Sequence, residues 1–211
     1  MSTQTLPAQT VFIVDDEQSV RESLTWLLNS IQLPVQCFES AAAFLAGYPR
    51  HARGCLILDV RMPGMSGMEL LEVLDGEGIF LPVIFLSAHG DIPMATEAMR
   101  KGAIDFLSKP YNNELFLRRV RQALTLDAQQ WQVRERRACL IRTFSALTRR
   151  EQQLLDLIIL GSSNKEIARD LAISIKTVEA HRARLVRKLE VKSLAELVQL
   201  AIEHRQNSVA A

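Results

Sequence analysis

Cys55-Leu56-Ile57-Leu58-Asp59-Val60-Arg61-Met62-Pro63-Gly64 is a short apolar run that closes on a carboxylate and then on a turn. A run of this length, rich in β-formers and bounded by turn residues, reads as a strand over Cys55–Leu58. The Pro63-Gly64 pair and Gly67 let the next loop fold back over the end of that strand. The same pattern recurs on either side. Val11–Val14, Val35–Phe38, Val83–Leu86 and Ile104–Leu107 read as four more strands. Between them, Val20–Ile31, Ala41–Leu45, Met68–Leu74 and Met94–Lys101 carry apolar residues at the three- and four-residue spacing of helices. Parallel neighbours need crossover connections, so this alternation predicts an α/β, doubly wound, parallel five-stranded sheet. Ligands of such sheets bind at the carboxyl ends of the strands.

At those ends the residue types are complementary. Asp15 and Asp16 close the first strand, with Glu17 after them, and Asp59 closes the third. Neighbouring strand ends would bring these carboxylates together, and clustered carboxylates repel unless a cation offsets them. With no His or Cys alongside, a hard oxygen-ligated ion such as magnesium suits the set better than zinc. Ser87 ends the fourth strand and Lys109-Pro110 follows the fifth. A hydroxyl and an ammonium beside a metal-bound carboxylate make a site for a tetrahedral oxyanion, with Asp59 as the nucleophile. Each residue alone has a plainer reading: Asp59 as a cap, Ser87 as a turn residue, Lys109 as a solvated charge, Phe106 as core. The ordered set of four strand ends within one α/β pattern carries the functional reading.

The second half of the chain has a different rhythm, with no strand pattern. Three Ser/Thr-x-x-Glu capping boxes stand at Thr148/Glu151, Ser163/Glu166 and Ser193/Glu196, and Ser174 opens a fourth helix. Together they predict a compact all-α domain of four helices. Asn164–Leu171, a three-residue turn, and Ile175–Leu189 have the proportions of a helix-turn-helix. Ile167, Leu171, Val178, Leu185 and Leu189 supply its packing stripe. The other faces of the second helix carry Lys176, Thr177, Glu179, His181, Arg182, Arg184, Arg187 and Lys188, a polar surface suited to the major groove. Between the halves, Gln129–Arg137 reads as a solvated helical linker and Arg142–Leu147 as a hinge. The expected division is 1–126, a linker over 127–146, and 147–211.

Charge follows the same division. Residues 1–127 hold 10 basic and 15 acidic side chains, and residues 128–211 hold 15 and 9, so an acidic half (net −5) precedes a basic half (net +6). A polyanion is the partner expected of the second. With 48% apolar and 23% charged residues the 211-residue chain has the composition of a soluble globular protein. No run approaches the roughly 20 apolar residues of a membrane helix, and Met1–Thr10 carries no secretory pattern. Cys37, Cys55 and Cys139 lack metal-ligand spacing and read as small buried hydrophobes of a reducing cytoplasm.

Val14-Asp15-Asp16-Glu17, Leu58-Asp59-Val60-Arg61-Met62-Pro63-Gly64 and Lys109-Pro110 resemble the receiver domain of two-component response regulators, a CheY/flavodoxin-like fold. His89-Gly90-Asp91-Ile92-Pro93-Met94-Ala95 and Gly102 through Pro110 are similar to the FixJ branch in particular. The resemblance implies that Asp59 accepts phosphate from a sensor histidine kinase. It implies magnesium on Asp16, Asp59 and the Arg61 carbonyl, with Asp15 acting through water, and a phosphoryl group bound by Ser87 and Lys109. Phe106 matches an aromatic switch position where the family often has Tyr, Ser87 one where many relatives carry Thr, and Lys109-Pro110 would be a cis peptide.

Leu147-Thr148-Arg149-Arg150-Glu151, Asn164-Lys165-Glu166-Ile167-Ala168 and Thr177-Val178-Glu179-Ala180-His181-Arg182 resemble the LuxR/FixJ-type DNA-binding domain. That resemblance makes Ile175–Leu189 the recognition helix and Leu194–Glu203 a dimerisation helix. Base contacts would come from Lys176, Thr177, Glu179, Ala180 and Arg182 or Ala183, and phosphate contacts from Arg184, Lys188 and Lys192. The expected protein is a cytoplasmic transcription factor, switched by phosphorylation, that binds promoter DNA as a homodimer with RNA polymerase as a further partner. The competing class is a magnesium-dependent phosphatase or phosphotransferase working through a phosphoaspartate. It would want a second Asp two residues after Asp59, where this chain has Arg61.

Overall fold

The computed structural model describes residues 8–50, 52–88 and 92–209, with side chains as far as Arg205. His89, Gly90 and Asp91 of the FixJ-like stretch therefore lie outside the described residues. The chain divides into two compact units, Met1–Trp131 and Gln132–Ala211.

In the first unit, β1 (Gln9–Val14), β2 (Val35–Phe38), β3 (Arg53–Asp59), β4 (Val83–Ser87) and β5 (Asp105–Ser108) form one parallel sheet in the order β2-β1-β3-β4-β5. The helices α1 (Gln18–Asn29), α2 (Ala41–Gly47), α3 (Gly67–Gly76) and α4 (Ile92–Arg100) supply the crossovers, and the start of α5 (Asn113–Ser145) packs on the sheet after β5. Alternate side chains leave a strand on opposite faces, and the core divides accordingly. Phe12, Val14, Leu56, Leu58 and Phe85 pack with Phe44, Leu70, Leu74 and Ala98 of α2, α3 and α4. Val11, Ile13, Cys55, Ile57, Ile84 and Leu86 pack with Leu24 and Leu28 of α1 and with Phe116, Val120 and Ala123 of α5. Each fully buried side chain of this size contributes roughly 1.5–3 kcal/mol relative to exposure, so both faces hold the sheet. The strand order reverses direction between β1 and β3, and the crevice for chemistry belongs at their carboxyl ends.

All five expected strands are present, β2 with the expected bounds and the others with shifted ends. β3 reaches back to Arg53 and forward to Asp59, and β5 begins one residue later than expected. The cysteine reading needs correcting: Cys55 is buried, while Cys37 and Cys139 are exposed. Cys37 stands on the edge strand β2, and Cys139 on α5. Burial first, then the charge of Asp127, pushes the Cys55 thiol well above its ordinary value, which keeps it protonated and inert.

In the second unit, α6 (Arg149–Ile159), α7 (Asn164–Asp170), α8 (Ile175–Lys188) and α9 (Leu194–Val209) surround Leu154, Ile158, Ile167, Val178, Leu185, Leu197 and Ala201. Thr148 and Ser163 form complete capping boxes with Glu151 and Glu166, and Ser174 caps α8. The third expected box differs. Ser193 accepts from the Glu196 N–H, but the Glu196 carboxylate accepts from the Lys192 N–H, one residue before the cap. The segment expected as a hinge is helical through Ser145, and Leu140, Phe144 and Leu147 are buried in this core. Among the described residues, no helix is long and apolar enough to cross a membrane.

Candidate functional site: an acidic strand-end pocket and a basic helix

Asp15, Asp59, Ser87 and Lys109 meet at the carboxyl edge of the sheet, as the strand-end pattern requires. The Lys109 ammonium donates to Asp15 Oδ2 at 2.8 Å and to Asp59 Oδ1 at 2.9 Å. Asp15 Oδ1 accepts the Glu17 N–H at 2.9 Å, and Asp59 Oδ2 accepts the Arg61 N–H at 2.7 Å, so backbone turns orient both carboxylates. Ser87 is buried at the end of β4, and its carbonyl accepts the Lys109 N–H at 2.7 Å. The Lys109-Pro110 peptide is cis. Gly67 is required by contact, because a Cβ there would lie 2.1 Å from the Asp59 carbonyl oxygen.

Two carboxylates share one ammonium. Burial raises the Asp59 carboxyl above its usual value, Lys109 and the Arg61 N–H pull it down, and the nearby Asp15 charge adds to the rise. Burial alone would lower the Lys109 ammonium, but its hydrogen bonds to Asp15 and Asp59 and their charges carry it above the ordinary lysine value. Lys109 is thus a fixed positive charge, and the pocket as a whole keeps a negative surplus. Phe106 is half-buried, opposite Phe85 in the sheet, with ring centroids 6.3 Å apart.

Exposure separates the candidates on α8. Lys176, Glu179, Ala180, Ala183, Arg184 and Arg187 are exposed at three- and four-residue spacing and so share one face. Thr177 and Arg182 are half-buried and engaged: the Thr177 hydroxyl lies 2.8 Å from Ser174 Oγ, and Arg182 donates to Asn164 Oδ1 of α7. Lys188 donates to Glu151 Oε2 at 2.7 Å, which ties the end of α8 to the start of α6. Lys192 is exposed before α9.

Residues 11–121 match the response regulator receiver domain, and residues 145–201 match the LuxR family of bacterial regulatory proteins. The chain is a two-component response regulator. The transcriptional regulatory protein TdiR of Thauera aromatica is 48% identical over 201 residues, covering 95% of this chain and 88% of TdiR. FixJ of Azorhizobium caulinodans is 45% identical, covering 91% of each chain. The solved structure of the response regulator StyR superimposes with a TM-score of 0.88 at 47% identity, covering 93% of this chain and 99% of StyR.

The regulator's pocket differs from the expected set in one respect. Of Asp15, Asp16 and Asp59, two converge, and they do so on Lys109. Asp16 is exposed, and among the described residues no three His, Cys, Asp or Glu side chains gather into a metal-ligating cluster. Asp16 lies beyond the end of β1, at a bend before α1, and is exposed where Asp15 is buried. The donors are nonetheless all oxygen and carry surplus negative charge, which fits a hard divalent cation. Two further residues of the regulator's site were not anticipated. Arg21 donates to the carbonyls of Asp15 and Asp16 at 2.7 and 2.9 Å, holding the acidic turn from α1. Tyr111 follows the cis peptide and packs on Phe116. Neither belongs to a strand-end motif, and no spacing in the sequence marks them.

Proposed function

We propose that Asp59 accepts a phosphoryl group from a sensor histidine kinase and that this controls promoter binding by α8. The observation that carries the reading is the Lys109 ammonium held between Asp15 and Asp59. In the transfer, an Asp59 oxygen forms the new P–O bond as the P–N bond to the kinase histidine breaks, and that nitrogen keeps the electron pair. Lys109 balances charge on the phosphoryl oxygens, and the Ser87 hydroxyl donates to one of them. Asp16, Asp59, the Arg61 carbonyl and, through water, Asp15 would hold magnesium, which would supply charge neutralisation at the phosphoryl group.

The exposed face of α8 supports DNA contacts by Lys176, Glu179, Ala180, Ala183 and Arg184, and it adds Arg187. The engagement of Arg182 and Lys188 within the unit favours a supporting role for them, with Thr177 at the helix cap and Lys192 beside the DNA backbone. On α9, Leu194 and Ile202 are exposed with the half-buried Val198 between them, an apolar stripe suited to a second copy of the chain. Phosphorylation would favour the homodimer and so bind two half-sites at once, with Phe106 following the Ser87 hydroxyl inward and RNA polymerase recruited at the promoter. Asp59→Ala is expected to abolish labelling by acetyl phosphate, together with the gain in DNA affinity that labelling brings. Stoichiometric labelling of that variant would overturn the assignment.

A further inference from the structure

β3 carries a second buried ion pair at its other end, outside the chemistry above. Arg53, its first residue, donates to Asp127 Oδ2 of α5 from Nε at 3.3 Å and Nη2 at 3.1 Å. The same oxygen accepts from Gln9 Nε2 at 2.8 Å, and Gln9 Nε2 also donates to the Leu124 carbonyl at 2.6 Å. Gln9 and Arg53 are partners in the β1–β3 register. The Trp131 ring closes the group, 4.6 Å from the Arg53 guanidinium carbon. Both charged side chains are almost wholly buried, at 4% and 1% exposure. Gly54 lets the strands close here: its φ is +142°, and a Cβ would lie 1.7 Å from the Thr10 carbonyl oxygen. Gln9, Asp127 and Trp131 all fall outside the matched stretch 11–121.

A buried ion pair is a poor way to gain stability, because desolvation offsets most of the attraction, and its best-attested use is to set register. Elsewhere in this unit α5 packs through the apolar Phe116, Val120, Ala123 and Leu124 and through an Arg119–Asp105 ion pair whose side chains are 35% and 21% exposed, contacts that tolerate a shift of the helix. The Arg53–Asp127 pair does not: displacing α5 by one turn strands two charges in the core. We propose that Arg53, Asp127 and Trp131 form a latch that fixes α5 to the strand bearing Asp59, and that this latch couples phosphorylation to DNA binding. The residues act by positioning and touch neither phosphate nor DNA. The proposal rests on the signalling reading above.

The test uses the full chain, acetyl phosphate, and a duplex selected from random sequence with the phosphorylated wild-type chain. Trp131→Ala opens the latch without leaving an unpaired charge. Arg53→Met combined with Asp127→Leu removes both charges and keeps apolar packing, so that each variant folds. Both are expected to label Asp59 as fast as the wild-type chain while the ratio of DNA affinities with and without phosphorylation falls to unity. A wild-type ratio in chains that label normally overturns the latch. Loss of labelling overturns it too, since the group would then merely prop the phosphorylation site. A ratio of unity in the wild-type chain itself is a distinct result, which removes the signalling reading along with the latch.

Discussion

The two ends of β3 hold ion pairs built on opposite terms. At Asp59 two carboxylates compete for the single ammonium of Lys109, and the group stays partly open to solvent. At Arg53 one guanidinium meets one carboxylate, Gln9 adds a neutral donor, and Trp131 covers the pair. The first arrangement leaves charge unbalanced where an incoming anion and cation would balance it. The second leaves nothing for a ligand to do. A buried charge cluster therefore signals chemistry when it is mismatched and accessible, and architecture when it is matched and sealed.

Removing half of the sealed pair should give the largest effect. Asp127→Ala strands the Arg53 guanidinium in the core and is expected to lower stability by about 3–5 kcal/mol. Urea denaturation followed by tryptophan fluorescence would measure it, and a loss under about 1 kcal/mol would mean the pair is not closed as described. The mismatched end should respond in the other direction. Asp59→Asn takes away the surplus carboxylate and leaves Lys109 paired with Asp15, so stability is expected to rise by up to about 1 kcal/mol in metal-free buffer. A clear fall in the denaturation midpoint would erase the contrast.

The smallest effect belongs to the second unit, where Glu151 offers an intermediate case. Lys188 first, then the Thr148 backbone and hydroxyl, hold its carboxyl below the ordinary glutamate value. A depressed value in the folded state means that the stabilisation is complete above the unfolded value of about 4.5 and disappears as pH falls through the lower folded one. The stability gap between the wild-type chain and Glu151→Gln is expected to be about 0.5 kcal/mol at neutral pH and to close as pH falls through the folded value. A gap that persists at the acid end would show that the carboxylate charge is not its source.

How much of this could be read from the chain depends on the range of the interaction. Asp15, Asp59, Ser87 and Lys109 were legible because each follows an apolar run, and a parallel sheet delivers every such run to one edge. Thr148 with Glu151 and Ser163 with Glu166 were legible because a cap acts over three residues. Arg53 and Asp127 were not: they are 74 positions apart, and nothing local distinguishes a buried Arg at a strand start from a solvated one. The same holds for Lys188 with Glu151, 37 positions apart, where periodicity gives the face of α8 but not its partner. Asp15 and Asp16 are adjacent in the chain, but adjacency does not give burial: the bend between β1 and α1 leaves Asp16 exposed.

The distribution of the three thiols has a practical consequence. Cys37 is exposed in the first unit, Cys139 is exposed in the second, and Cys55 is buried in β3 with its proton held tightly. A maleimide applied to the native chain thus meets one accessible sulfur in each unit, while the third is shielded. A donor and acceptor dye can be installed on the natural sequence, and energy transfer between them would test whether acetyl phosphate changes their separation, without any engineered cysteine.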